Sequence, residues 1–317
     1  MRSMNRFLLQ MALLCPAALL CWAESPASPV QVHGHRGARA SRPENTIPAF
    51  EFAIAAGADA LELDMAVTKD NVIVISHDPI LHPPVCSGPQ PRAIIHELAL
   101  EEVKQWDCGA TQSPEFATQQ TMPGTRMPTL DEVFQLASKG KFLFNIETKI
   151  FPKKPSAGEI RGVLKQMSIA PDSGPGRDAI TTFSSIGPEV TPSPEDFVKL
   201  VLEKIRKYHL EDRVILQSFD YRTLREMKKL APEIKLSALT SDKTRSFVNI
   251  AAEAEAGIVS PVFPTVTPEK VKAAHAAGLL VVPWTANRPE QWQKLIDAHV
   301  DAIITDDPQG LLQYLKR

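Results

Sequence analysis

Two histidines, two carboxylates and an arginine lie close together in the first quarter of the chain. Glu62 and Asp64 are separated by one residue within the run ADALELDMAV, while His35 and Arg36 precede this run and His77 follows it. Successive side chains on a strand point to opposite faces, so the two carboxylates point the same way. The flanking positions are apolar, which indicates a buried strand, and buried acids need partners. A bound metal ion is the usual partner of such a pair.

Further motifs with polar residues follow in order along the chain. The ordered set comprises His35-Arg36-Gly37, Pro43-Glu44-Asn45-Thr46, Glu62-x-Asp64, Val67-Thr68-Lys69-Asp70, His77-Asp78, Asn145-Ile146-Glu147-Thr148-Lys149, Gln217-Ser218-Phe219-Asp220, Trp284-Thr285-Ala286-Asn287 and Ile304-Thr305-Asp306-Asp307-Pro308. In order and spacing this set resembles the glycerophosphodiester phosphodiesterase family, from about Val32 to the C-terminus. Each motif alone is weak, whereas the combination is highly specific.

The resemblance implies roles for two groups of residues. Family members match at Glu62, Asp64 and Glu147, and the two histidines that match His35 and His77 carry catalysis in related enzymes. Ligands that are oxygen only, without cysteine or clustered histidine, favour Mg²⁺ or Ca²⁺ over zinc. We therefore expect a divalent cation as the cofactor. Without the other two acids, Glu147-x-Lys149 would read as an ordinary ion pair on a strand.

Hydrolysis of a phosphodiester requires charge neutralisation, an activated nucleophile and protonation of the leaving alkoxide. Arg36 can bind phosphate oxygens through its planar fork, and Lys149 can add a point charge. His35 and His77 can act as base and acid near neutral pH. The sequence leaves open which histidine does which. It also leaves open whether water attacks directly or a glycerol hydroxyl attacks first to form a cyclic phosphate.

Several other residues are candidates for the site, and the sequence allows two interpretations of each. Glu44 either binds substrate or simply belongs to the start of a helix. Trp284 and Phe219 lie at strand ends, which favours aromatic rings that line a pocket, although core positions are the usual place of such residues. His33 shares the face of His35 and is expected to be a structural histidine deeper in the fold. The remaining histidines receive no role.

Strand patterns alternate with helical patterns along the chain. Strands are expected near 30–35, 59–66, 141–149, 214–219, 235–240, 257–260, 279–284 and 302–306, and each is followed by a helix. This alternation predicts a TIM (β/α)8 barrel. An open doubly wound sheet has the same local pattern, but the polar motifs fall at the ends of many strands, which converge only in a barrel. Residues 71–76 are expected to form a hairpin partner of the second strand.

A proline-rich segment of about 79–128 interrupts this alternation. The family resemblance identifies it as a small inserted cap after the second strand. It contains Cys86 and Cys108, the two cysteines that remain if residues 1–23 are removed. A disulfide is expected for such a pair in an exported protein, with two buried thiols as the alternative.

The N-terminal residues 1–23 have the pattern of a secretory signal peptide. Arg2 and Arg6 precede an apolar run from Phe7 to Trp22, and small residues stand at Cys21 and Ala23. We therefore predict that residues 24–317 form one phosphodiesterase domain that is periplasmic or secreted. A retained N-terminal anchor is the alternative, and a lipoprotein is a weaker one.

Composition narrows the class of function. The chain of 317 residues carries 35 basic and 37 acidic residues, so no excess of positive charge favours nucleic acid. The leading hypothesis is a metal-dependent hydrolase of small glycerophosphodiesters, without stable membrane insertion after signal removal. The alternatives are a phospholipase D-like enzyme that acts on sphingomyelin or lysophospholipids, and a binding protein that has kept the barrel without catalysis.

Overall fold

The computed structural model describes residues 30–150 and 190–317. The predicted signal peptide, and most of the irregular stretch expected near 151–193, lie outside these residues. The strands are β1 (Gln31–Gly34), β2 (Ala60–Val67), β3 (Ile73–Ile75), β4 (Ile80–Leu81), β5 (Ala93–Ile94), β6 (Leu143–Thr148), β7 (Val214–Ser218), β8 (Lys235–Thr240), β9 (Ile258–Pro261), β10 (Leu280–Val281) and β11 (Ala302–Thr305).

Helices follow most of these strands. They are α1 (Ile47–Ala56), α2 (Leu100–Val103), α3 (Leu130–Phe134), α4 (Pro194–Lys207), α5 (Tyr221–Leu230), α6 (Phe247–Ala254), α7 (Pro268–Ala276), α8 (Pro289–Asp297) and α9 (Pro308–Tyr314). Most of them begin after a residue whose side-chain oxygen accepts a hydrogen bond from the first turn, which satisfies a backbone N–H that has no partner within the helix. These N-cap residues are Thr46, Thr129, Ser193, Asp220, Ser246, Thr267 and Asp307.

The parallel strands form a nearly closed barrel in the order β10-β9-β8-β7-β6-β2-β1-β11. Between β10 and β11 there is no ladder, but the amide of Ile304 donates to the carbonyl of Pro283 at 2.9 Å and brings the two strands together. The predicted TIM barrel is confirmed. As predicted, β3 pairs antiparallel to β2 outside the ring.

The seventh barrel strand is shorter than the sequence predicted. Apolar residues run from Leu279 to Trp284, but the ladder contains only Leu280 and Val281. Beyond Val281 the pairing with β9 is irregular, although the amides of Val282 and Trp284 still donate to the carbonyls of Val259 and Pro261 at 2.9 and 3.0 Å. Trp284 forms only an isolated bridge with Val262.

Apolar side chains fill two layers. Between the barrel and its helices lies the main core, which includes Phe50, Leu63, Phe144, Phe197 and Phe247, all fully buried. A smaller cluster fills the barrel interior and consists of Ile215, Ile258, Val282, Ala302 and Ile304. Among the described residues, no helix is both long and apolar enough to cross a bilayer.

The inserted segment forms a cap with its own small core. Trp106 is 1% exposed and packs with Leu81, Ile95, Val103 and Met127. Cys86 and Cys108 are joined by a disulfide with a Cα–Cα distance of 4.0 Å. The chain leaves the cap where it entered, because the carbonyl of Pro128 accepts a hydrogen bond from the amide of Ile75 at 2.9 Å.

Candidate active site

The turn after β1 carries His35 and Arg36, the first two candidate site residues along the chain. Arg36 and Gly37 both have positive φ, at 49° and 87°. A Cβ atom on Gly37 would lie 2.7 Å from the carbonyl carbon of Ala49, so this position requires glycine. The amide of Arg36 donates to Glu62 Oε2 at 2.9 Å. This bond fixes the turn, and with it His35, over the end of β2.

Three carboxylates meet at the carboxyl ends of β2 and β6. Glu62, Asp64 and Glu147 are buried, and one oxygen of each lies within 4.8 Å of the others. Two neutral amides hold the cluster. Gln217 Nε2 donates to Glu62 Oε1 at 2.7 Å, and Asn45 Nδ2 donates to Asp64 Oδ2 at 3.0 Å.

Two cations border the cluster. Lys149 Nζ lies 2.9 Å from Glu147 Oε1 and 3.2 Å from Asp64 Oδ1. Arg36 Nε lies 3.3 Å from Asp64 Oδ2. The lysine and the arginine therefore converge on Asp64, while Glu62 lacks a salt bridge to either of them within the part of the chain that the structure describes.

Proton affinities show where negative charge is poorly compensated. Burial raises the pKa of Glu62 well above its usual value, and the nearby Asp64 charge raises it further. Burial also raises the pKa of Glu147 to about 7, against the opposing effect of Lys149. For Asp64, burial would raise the pKa, but Lys149, His77 and Arg36 together hold it well below normal.

The carboxylate cluster therefore fits a divalent cation. Its donors are all carboxylate oxygens, which suit hard ions such as Mg²⁺ and Ca²⁺. The raised pKa values of Glu62 and Glu147 show that these carboxylates lack enough positive charge around them. A bound cation would supply that charge.

His35 is held by an acid that follows the last barrel strand, β11. Its Nδ1 lies 2.5 Å from Asp306 Oδ1. Asn287 fixes this acid, since its Nδ2 donates to Asp306 Oδ2 at 2.6 Å and its Oδ1 accepts from the Asp306 amide at 2.9 Å. A carboxylate only accepts, so Nδ1 carries the proton and Nε2 is left to act as a base. Nε2 lies 4.0 Å from Glu62 Oε2.

His77 has the same type of support from a different acid. Its Nδ1 lies 2.7 Å from Asp78 Oδ1, and the other oxygen of Asp78 lies 3.3 Å from His82 Nε2. His82 Nδ1 faces the carbonyl of Pro83 at 2.7 Å. Both ring nitrogens of His82 thus face acceptors, so both bonds form only in the imidazolium. Burial lowers the pKa of His82, but the two bonds raise it overall.

Burial lowers the pKa of both His35 and His77. For His35 the bond to Asp306 opposes this shift, and for His77 the cations Arg36 and Lys149 strengthen it. Both imidazoles are therefore neutral near pH 7 in the free protein. An anionic phosphate beside them would raise both pKa values, because negative charge stabilises the imidazolium.

These groups line one cavity of about 190 Å³, the catalytic cavity. Every predicted site residue except Glu44 and the two cysteines lines it. Its walls are His35, Arg36, Arg39, Glu62, Asp64, His77, Glu147, Lys149, Gln217, Phe219, Leu239, Trp284, Thr285 and Ile304. The rings of Phe219 and Trp284 meet edge to face, with centroids 5.5 Å apart.

Glu44 lies outside this cavity and connects it to the cap. Its carboxylate pairs with Arg36 Nη1 at 2.5 Å and with Arg39 Nε at 2.9 Å. Arg39 also reaches Glu115 of the cap at 3.0 Å. His33 lies in the barrel interior, where burial lowers its pKa to about 4. Its Nδ1 is 3.4 Å from Asn145 Nδ2.

Sequence reasoning gave no role to three residues that support the site. Gln217 is polar within the apolar strand VILQS, which is a signal that could have been read. Asp306 belongs to a recognised motif, but its partner His35 is 271 positions away. His82 offers no sequence signal, since its contact with Asp78 depends on the turn of the cap.

A parallel barrel that gathers titratable groups at the carboxyl ends of its strands defines a TIM-barrel enzyme. The profile described as "Glycerophosphoryl diester phosphodiesterase family" matches residues 35–310. Because this match covers most of the chain, the protein belongs to the glycerophosphoryl diester phosphodiesterase family.

Individual relatives agree with this assignment. A glycerophosphodiester phosphodiesterase of Caldanaerobacter subterraneus is 32% identical over 286 residues, which are 90% of this chain and 98% of the relative. A solved putative glycerophosphoryl diester phosphodiesterase from Silicibacter pomeroyi has a TM-score of 0.75 at 28% identity and covers 91% of this chain and 94% of its own.

A phosphodiesterase from Oleispira antarctica shares the fold. Its structure has a TM-score of 0.68 at 23% identity and covers 90% of this chain and 97% of its own. That structure is a complex with the product sn-glycerol-3-phosphate.

Proposed function

We propose that this protein hydrolyses glycerophosphodiesters to sn-glycerol 3-phosphate and an alcohol, with a divalent cation as cofactor. One observation carries the proposal: two half-buried histidines, three buried carboxylates and an arginine line a single cavity of about 190 Å³. The family membership and the product complex of the Oleispira antarctica relative support the choice of substrate.

The two histidines supply proton transfer. Each imidazole donates from Nδ1 to an aspartate, so Nε2 is the atom that exchanges protons with the reacting groups. One histidine takes the proton of the nucleophile, and the other, protonated beside the phosphate, gives a proton to the leaving alkoxide. The nucleophile is water, or it is a hydroxyl of the substrate's own glycerol, in which case water then hydrolyses the cyclic phosphate to sn-glycerol 3-phosphate.

Arg36 and Lys149 bind and orient the phosphate. Arg36 is held by Glu44, which leaves its guanidinium fixed beside the cavity. Lys149 stands between Asp64 and Glu147 as a point charge. Glu62, Asp64 and Glu147 would hold Mg²⁺ or Ca²⁺, and the bound ion would neutralise charge that develops on the phosphate oxygens.

Chelation and ligand removal test this proposal. Glu62→Gln and Asp64→Asn should each abolish hydrolysis of glycerophosphocholine while the protein stays folded, and EDTA should do so reversibly. The matched control is Glu51→Gln, which removes a surface carboxylate on α1 that pairs only with Lys139 among the described residues. Full activity after thorough chelation would refute the metal role.

Product analysis distinguishes the competing function. A glycerophosphodiesterase releases sn-glycerol 3-phosphate and choline from glycerophosphocholine. A phospholipase D-like enzyme would instead release choline from sphingomyelin or lysophosphatidylcholine. Hydrolysis of sphingomyelin alone would replace the proposal with this alternative.

We also propose that the chain is exported and cleaved near residue 23. The basic, apolar and small-residue pattern of residues 1–23 supports this, and so does the cysteine pair of the cap. Mass spectrometry of the protein recovered from the periplasm or medium should find the mature N-terminus near Glu24. An uncleaved N-terminus in the membrane fraction would contradict it.

A further inference from the structure

A second cavity lies under the cap, beside the catalytic cavity. Its volume is about 130 Å³. A cavity that holds one water has roughly 10–15 Å³ by comparison, so this space can take a small organic group. Arg39 lines both cavities. We call the second space the cap cavity.

A phosphodiester carries two alcohols on one phosphate, so its substrate site needs two places. The catalytic cavity has charged groups around the phosphate position and an aromatic wall at Phe219 and Trp284. Arg39 lies at the boundary between this cavity and the cap cavity. Resting on the function proposed above, we propose that the cap cavity binds the second alcohol of the diester, and that this alcohol is an uncharged polyol.

The cap wall is fixed to the barrel before any ligand binds. Gln119 Nε2 donates to the carbonyls of Arg39 at 2.7 Å and Arg42 at 3.2 Å. Its Oε1 accepts from the Ser113 amide at 2.8 Å. The guanidinium of Arg39 lies 5.0 Å from the ring centre of Phe116. A wall held in this way loses little freedom when a ligand enters.

Charge pairing in the cap cavity disfavours a cationic head group. Glu44 and Glu115 both form ion pairs with Arg39, and Glu44 pairs with Arg36 as well. His82 forms both of its bonds as an imidazolium. An ammonium group would have to compete with these cations for the same carboxylates.

Hydroxyl groups of the cap favour a polyol. Thr111 and Ser113 line the cavity. The Ser113 oxygen accepts from the Glu115 amide at 3.3 Å, so its own proton remains to be donated to a ligand. Alcohols exchange donor and acceptor roles with such groups without any change of charge.

The test compares three substrates. Glycerophosphoglycerol carries an uncharged diol, glycerophosphocholine carries a cation, and glycerophosphomethanol has almost no second alcohol to bind. The wild-type kcat/KM should be about tenfold higher for glycerophosphoglycerol than for glycerophosphocholine, which is the effect of one or two hydrogen bonds.

Cavity-filling variants then locate the effect. Thr111→Trp and Ser113→Trp should each lower kcat/KM for glycerophosphoglycerol about tenfold through a higher KM, and leave glycerophosphomethanol unchanged. Thr121→Trp, on an exposed cap position outside the cavity lining, is the matched control and should change neither.

Three outcomes would overturn the assignment. Wild-type preference for glycerophosphocholine would refute the polyol. Equal kinetics of both filled variants and wild type on glycerophosphoglycerol would refute the location. Failure of the wild type to hydrolyse any of the three diesters would refute the proposed function itself. Hydrolysis of glycerophosphomethanol alone would leave the proposed function intact and refute only the role of the cap cavity.

Discussion

The two ends of the barrel both carry buried or half-buried charges, but they use them differently. At the amino end, each charge precedes a strand and holds neighbouring backbone. Asp59 accepts from the Val32 amide at 2.8 Å and pairs with Arg317 at 2.7 Å. Asp301 accepts from the Val281 amide at 2.7 Å. Arg213 donates to three carbonyls, those of Ala137, Gly140 and Phe142.

At the carboxyl end, like charges are placed together. Glu62, Asp64 and Glu147 repel one another, and their pKa values are displaced in opposite directions. Arg36 holds a left-handed backbone conformation in the same place. Such an arrangement lowers the stability of the free protein, because these charges need binding partners that the protein does not itself supply.

Charge at the amino end therefore stabilises the fold, while charge at the carboxyl end prepares a site. Substitutions at the two ends should therefore separate stability from activity.

Removal of either histidine proposed to transfer protons should cost activity and little stability. His35→Ala and His77→Ala should each lower kcat by about 10²–10⁴-fold, the usual contribution of a positioned proton transfer. Each variant should also lose one limb of a bell-shaped pH profile. Steady-state kinetics over pH, with urea unfolding in parallel, measures both.

His33 is the matched control for these two histidines, since it lies in the barrel interior and lines neither cavity. His33→Ala should lose stability more than chemistry. A folded but inactive His33→Ala, together with an active His35→Ala, would refute the assignment of the base on the first strand.

His33 should also make the fold sensitive to acid. Its pKa is depressed to about 4 by burial, whereas the unfolded chain titrates near 6.5. The unfolded chain therefore binds the proton first, and stability is lost as pH falls from about 6.5 to about 4. The loss should reach about 3 kcal/mol.

Urea unfolding should show that His33→Gln loses about 3 kcal/mol less stability than the wild type between pH 6.5 and pH 4. The control for the substitution itself is His209→Gln, which changes an exposed histidine that follows α4. Parallel curves for wild type and His33→Gln would show that His33 does not cause the acid sensitivity.

Arg213 tests the amino end. Arg213→Ala removes a guanidinium that binds three carbonyls and stacks over Phe142, with 5.2 Å to the ring centre. The free energy of unfolding should fall by about 2 kcal/mol, with kcat/KM of the folded enzyme unchanged.

Arg206→Ala is the control for a surface arginine, because within residues 30–150 and 190–317 the side chain of Arg206 makes only a long bond, to the Leu230 carbonyl at 3.4 Å. Calorimetry and kinetics on the same samples decide the result. A selective loss of activity in folded Arg213→Ala would erase the distinction between the two ends.

His82 should show the smallest effect and sharpen the comparison at the carboxyl end. His82→Leu should lower kcat about tenfold, equal to the ~1.4 kcal/mol of one hydrogen bond, because Asp78 then holds His77 less firmly. His82→Gln, which can still donate to Asp78, should recover part of this loss. His96→Leu, elsewhere in the cap, should have no effect.

A double-mutant cycle shows whether His82 acts through His77. In the His77→Ala background, His82→Leu should cause no further loss of kcat. A multiplicative loss in the double mutant would indicate a general effect on the cap instead.

Much of the fold could be predicted from local patterns. The alternation of apolar strands with capped helices is a local property, and the spacing of Glu62 and Asp64 places both on one face. The predicted length of β10 was wrong because the apolar run continues to Trp284, whereas the regular ladder ends at Val281.

The support of the site could not be predicted in the same way. Gln217 reaches Glu62 across 155 positions, and Asp306 reaches His35 across 271. Such pairs are created by closure of the barrel, and a single sequence carries no record of which strands become neighbours. The His82–Asp78 contact spans only four positions, but it depends on how the cap folds back.

The cap begins after β3 and ends beside it, where the amide of Ile75 donates to the carbonyl of Pro128. It is therefore an exchangeable module: a segment of different length can join the same two points without moving β2 or β6. The carboxylates proposed to hold the metal lie on these barrel strands, whereas the cap provides most of the wall of the cap cavity. Grafting a cap from a relative, with His82 retained, is thus a route to altered selectivity that leaves the barrel carboxylates and the support of His77 in place.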